Sequence, residues 1–155
     1  MGIWNSIFGQ KAPVTLSTYE NKEANYSIQY PEGWKIETDE AGVLSITSDK
    51  FKGGIFISVR EGLTFPDQHM EDLILQIEHL PAEWKPRILH GVEKGIRSWY
   101  ISYTASDHNL TCMSIYKRKG DRLWFVSTET ETGLWKNGWN DIIKKILTSF
   151  EIASA

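Results

Sequence analysis

Cysteine is nearly missing from this chain. Its 155 residues include one, Cys112, so neither an intramolecular disulfide nor a cysteine-clustered metal site can form. No apolar run approaches the roughly 18 residues that a membrane-crossing helix needs. Positive charge is not in excess: 17 Lys and Arg against 20 Asp and Glu leave a formal net charge of −3. That balance argues against a broad phosphate-binding face, and nucleic acid is not expected as a partner. No Gly-x-Ser-x-Gly, phosphate loop or Gly-x-Gly-x-x-Gly is present, and Gly53-Gly54 opens a strand with no helix behind it. Hydrolase, nucleotidase and dinucleotide chemistry therefore have no motif to stand on, and no cofactor is expected.

Aromatics and short alternating runs are plentiful. Seven Trp, six Tyr and six Phe accompany a hydrophobic fraction of 41% and a charged fraction of 24%. This is the composition of a folded domain with a bulky core, and the length fits one domain. Residues 1–13 read as a separate N-terminal segment, with Ile3, Trp4, Ile7 and Phe8 able to make one apolar helical turn. Residues 14–152 read as a single domain. The start lacks the basic and apolar regions of an export signal, so a cytoplasmic location is expected.

Alternation places strands at residues 14–20, 26–30, 35–38, 43–47 and 54–60, the last apolar on both faces as an inner strand is. Met70, Leu73, Ile74, Ile77 and Leu80 then fall at helical spacing, with Thr64 and Asp67 spaced as a capping box. Strands return at 87–92, 97–105, 110–117 and 122–130, with Gly120-Asp121 marking a hairpin tip. A final helix carries Trp135, Trp139, Ile142, Ile143, Ile146, Leu147 and Phe150 as one apolar stripe. Hairpin-linked strands with two amphipathic helices define an α+β fold, a central antiparallel sheet with helices packed on its faces.

Four segments, in order, resemble one family. They are Tyr26-Ser-Ile-Gln-Tyr-Pro-Glu-Gly-Trp34, Ile55-Phe-Ile-Ser-Val-Arg60 leading into a helix, Gly95-Ile-Arg-Ser-Trp-Tyr-Ile-Ser-Tyr103, and Ile142-Ile-Lys-Lys-Ile-Leu-Thr-Ser-Phe150. Together they are similar to the family that includes photosystem II PsbP, the Ran-binding protein Mog and the bacterial protein DcrB. The resemblance implies a sheet between helical layers and a non-enzymatic binding or accessory role. It carries over no partner-binding residue.

The side chains offer few chemical constellations. His69 and Asp72 lie one helical turn apart without further ligands, and His79 and His90 read as loop edges. The carboxylate pairs Asp39/Glu40, Glu71/Asp72 and Glu129/Glu131 do not converge by themselves. Cys112, inside an apolar strand, reads as a small buried hydrophobe. Two groups of residues are candidates for binding. Lys117, Arg118, Lys119 and Arg122 form a basic hairpin tip, and Tyr100 and Trp124 are candidates to line an aromatic groove on the sheet. The expected function is a cytoplasmic protein-binding accessory or chaperone-like domain. The alternative is a small-molecule or lipid-binding module with a pocket between sheet and helix.

Overall fold

The structure, a computed structural model, describes residues 14–81, 86–105 and 109–153. The proposed N-terminal segment, Trp84 and His108 lie outside the described residues.

Among the described residues, ten strands form two antiparallel sheets. The small sheet has the order β1-β2-β10, from Leu16–Asn21, Tyr26–Pro31 and Glu151–Ile152. The large sheet holds β3 (Lys35–Thr38), β4 (Leu44–Thr47), β5 (Gly53–Arg60), β6 (Ile88–Glu93), β7 (Ile96–Ala105), β8 (Leu110–Lys119) and β9 (Arg122–Glu131). Its order is β3-β4-β5-β9-β8-β7-β6. The antiparallel α+β architecture is as the patterning predicts, and the division into two sheets is new. Pro31 ends β2, and the Trp34 N–H turns back to the Pro31 carbonyl at 3.2 Å, so the chain leaves one sheet for the other.

Helix α1 (Met70–Ile77) follows a single 3-10 turn at Asp67–His69. The connection from β5 to β6 must cross from one side of β9 to the far edge of the sheet, and α1 lies on the face it crosses. Met70 and Ile74 pack there against Trp99, Ile101, Tyr116 and Leu123. The expected capping box does not form: the helix start has no side-chain cap. Asp67 is instead drawn to two arginines of the sheet.

The opposite face carries α2 (Asn140–Thr148) and the small sheet. Ile143, Ile146, Leu147 and Phe150 close over Ile55, Ile57, Ile115, Trp124 and Val126, with Tyr26 and Ile28 of β2 completing this core. The single long helix predicted from the Trp135–Phe150 stripe is interrupted. Thr132–Leu134 and Trp135–Trp139 form an irregular helical stretch before α2 begins. Gly138 sits at φ 111°, outside helical geometry and open to glycine, and this bends the stripe so that Trp139 meets Trp34 and Phe51 at 5.7 and 5.5 Å.

Strands β8 and β9 are covered on both sides and feed alternate residues to the two cores. In the paired columns, Ile115 and Val126 face α2, while Tyr116 and Phe125 face α1. Cover is thinner at the β6–β7 side. Among the described residues, the large hydrophobics left exposed are Leu89, Val92 and Tyr100, all on these two strands.

Candidate functional site

The hairpin between β6 and β7 turns on Lys94 (φ 52°) and Gly95 (φ 78°), both left-handed, the pattern of a two-residue type I′ turn. That turn sets the register, with Glu93 opposite Ile96 and Leu89 opposite Tyr100. Tyr100 in turn pairs with Ile115 of β8, a residue of the α2-side core, so Leu89 and Tyr100 continue that apolar column beyond the edge of α2.

The result is an open shelf. Leu89 is 51% exposed and Tyr100 40% exposed, beside partly buried Met113 and the flank of Leu147. A groove of about 380 Å³ runs between this shelf and α2, with Arg87 and Lys144 among its lining residues. Both cations are exposed, and among the described residues neither is ion-paired. The shelf therefore combines an apolar floor with unneutralised positive charge.

The structure separates the residues that the sequence groups together. Tyr100 lies on the shelf. Trp124 does not: it is 3% exposed, beneath the layer of α2 and the small sheet, with its indole N–H donating to the Ala24 carbonyl at 2.7 Å. An aromatic groove shared by Tyr100 and Trp124 is thus not formed. Both residues are on the same sheet face, but Trp124 is on inner strand β9 and Tyr100 two strands further out.

The basic hairpin tip is likewise dispersed, because alternation sends neighbouring side chains to opposite faces. Arg118 is buried on the α1 face. Its Nη1 meets Asp67 Oδ1 at 3.1 Å, its Nε donates to the Gly120 carbonyl at 2.9 Å, and its guanidinium covers the Phe65 ring. Lys117 points to the α2 face, where its Nζ donates to the Phe150 carbonyl at 2.9 Å and desolvation lowers its pKa. Arg122 lies over Trp124 and meets Glu61 at 3.1 Å. Of the four, Lys119 alone is exposed. The sequence reading of His90 also needs correction: it is in the middle of β6, stacked on Trp99 at 5.3 Å.

Leu89, Met113, Leu147, Arg87 and Lys144 were not among the binding candidates read from the sequence. The Lys94-Gly95 turn held the one usable signal, since recognising it as a two-residue hairpin places Leu89 across from Tyr100. Nothing local marks where α2 stops covering the sheet.

A second polar group lies under α1. Tyr103 and Tyr116 both donate to Glu78, at 2.8 and 2.5 Å, tying the end of α1 to β7 and β8. Burial, then the Glu78 charge, raises both phenols well above the ordinary tyrosine range. Burial also raises Cys112 from 9.0 to about 11 and Tyr26 from 10.0 to about 12. The Cys112 thiol is thus held protonated, the opposite of what a nucleophile requires. Among the described residues, no three His, Cys, Asp or Glu gather as metal ligands.

These shifts have a definite sign. Each group keeps its proton in the folded state at pH values where the unfolded chain would release it. Stability is therefore complete below about pH 9 and falls as pH rises through the thiol and phenol range. Urea midpoints are expected to be flat between about pH 7 and 8.5 and to drop steeply by about pH 11, with a shallower drop in Tyr26→Phe. A flat profile to pH 11 would contradict the burial of these groups.

No family profile matches this chain, and no curated protein matches it. Solved structures do. The solution structure of the cyanobacterial PsbP protein CyanoP, from Synechocystis sp. PCC 6803, has a TM-score of 0.68 at 12% identity and covers 91% of this chain and 94% of that one. A crystal structure from Bacteroides thetaiotaomicron has a TM-score of 0.54 at 15% identity, covering 88% of this chain and 48% of that one. The chain has a PsbP-like α+β fold. Among the described residues, no helix is long and apolar enough to cross a membrane.

Proposed function

We propose that this protein is a non-catalytic accessory domain that binds another protein through the shelf beside α2. The observation that carries this reading is the pairing of exposed Leu89 and Tyr100 with Arg87 and Lys144 nearby. A large aromatic and a leucine left uncovered on a sheet, with an aliphatic groove beside them, is the composition of an interface centre. The two cations select the occupant: an apolar segment carrying Asp or Glu. The PsbP-like fold agrees with an accessory role, and the sequence resemblance to Mog and DcrB extends the range of partners to proteins outside photosynthesis.

The groove's volume, about 380 Å³, supports a second reading, because it falls within the range of small-ligand pockets. In that case the cations would hold the head group of an anionic amphiphile.

Peptides selected from a random display library decide between these readings. Binders are expected to combine hydrophobic residues with Asp or Glu, and to weaken at least tenfold against Leu89→Lys and against Arg87→Glu/Lys144→Glu. Peptides that bind these variants as well as they bind the parent protein would place the interface elsewhere. Saturable dodecanoate binding that is abolished by Leu89→Lys, with no peptide selected, would favour the amphiphile.

A further inference from the structure

We propose that β6 pairs edge to edge with β6 of a second copy of this chain, antiparallel and centred on His90, so that the two large sheets become one. This proposal uses the outer edge of the strand and does not depend on what the shelf binds.

The first observation is that the edge is open. β6 ends the large sheet, and among the described residues it pairs with β7 alone. Which of its backbone groups are unpaired follows from the Lys94-Gly95 turn. A two-residue type I′ hairpin closes on a hydrogen-bonded pair, here Glu93 with Ile96, and such pairs then alternate along the ladder. Gly91 and Leu89 therefore bond inward to β7, and Ile88, His90 and Val92 aim their N–H and C=O groups outward.

The second observation is that this edge lacks the usual protection. Sheet edges are normally kept short or heavily charged to prevent strand addition. The opposite edge, β3, fits that rule: it has four residues, with an exposed ion pair between Lys35 and Glu37. β6 has six residues, and the exposed hydrophobics Leu89 and Val92 stand on its two faces.

The third observation chooses the partner and the register. Antiparallel pairing of β6 with itself about His90 places Arg87 opposite Glu93 of the other copy, and Glu93 opposite Arg87. Both are exposed in the single chain. The same register sets Ile88 against Val92 and leaves Leu89 across from Gly91, where no side chain competes for space. It also matches outward-facing residues with outward-facing residues, as a hydrogen-bonded ladder requires. Shifting the pairing by two residues loses the charge match.

A ladder this short makes a modest, concentration-dependent dimer. Sedimentation equilibrium is expected to show the average mass climbing from one chain toward two between micromolar and near-millimolar protein. His90→Pro removes the outward donor at the centre and spares the bonds to β7, so it is expected to keep the protein folded and monomeric. Arg87→Glu and Glu93→Arg should each weaken the dimer at least tenfold by opposing like charges, and the two together should restore it. A chain that stays monomeric throughout overturns the proposal, as does a dimer indifferent to His90→Pro and to the single reversals. Failure of the double variant to recover would overturn the register. Should His90→Pro not fold, the charge reversals still decide.

Discussion

Phe150→Ala is expected to lower the free energy of unfolding by about 3–5 kcal/mol, a large part of what holds a domain of this size folded. Phe150 is fully buried where α2, the small sheet and the large sheet meet. Its ring lies 5.6 Å from Tyr26 of β2, and its carbonyl accepts the Lys117 ammonium, which also lies over the ring at 5.4 Å. Truncation leaves a cavity lined from three directions, none able to collapse without moving a strand or helix, and that rigidity puts the cost at the high end. It also removes the ring beneath the half-buried Lys117 ammonium. Phe150→Leu keeps most of the volume and is expected to cost about 1 kcal/mol. Urea denaturation at constant m-value checks both. A loss below 1 kcal/mol for the alanine variant would mean that the ring is not part of the core.

Asp67→Ala is expected to cost about 2–3 kcal/mol, for electrostatic rather than packing reasons. Its carboxylate lies between Arg118 Nη1 at 3.1 Å and Arg97 Nε at 2.5 Å. The Arg118 side chain is only 10% exposed, so removing its counter-charge strands a desolvated guanidinium. Asp67 itself is 34% exposed, and solvent screening keeps the figure below that of a fully buried pair. Adding Arg118→Met to Asp67→Ala removes the orphaned charge and fills the space, so the double variant should recover more than half of the loss. Strictly additive effects in that cycle would show that the two residues do not interact.

The Asp67–Arg118 pair also shows how far local reading reaches. In sequence, Asp67 belongs to a capping box with Thr64, and Arg118 to a cluster of four cations around Gly120. Both readings rest on neighbours a few residues away; the hairpin falls where its reading puts it, whereas a box capped by Thr64 would start the helix several residues before the 3-10 turn at Asp67 and α1 at Met70. They fail on the side chains, because α1 crosses the sheet and brings position 67 over position 118. Trp124 fails in the same way. Its strand is legible from alternation, but its burial depends on the layer that α2 and β2, distant in sequence, place over it. Tyr100 has a similar local pattern and stays exposed because that layer ends before β7. His90 reads as a loop edge beside Gly91, yet pairing with β7 carries it into the strand.

The chain's own order of residues was enough to determine nine of the ten described strands, the hairpin at Gly120-Asp121, the apolar stripes of the two helices and the antiparallel α+β class, because alternation, helical period and turn chemistry act over a few neighbouring residues. Only the packed molecule decided which aromatics are covered, which cations are neutralised, and that the β6–β7 side carries an uncovered shelf and an open edge. Exposure is a property of layers brought together from remote parts of the chain, and no short stretch of sequence contains that information.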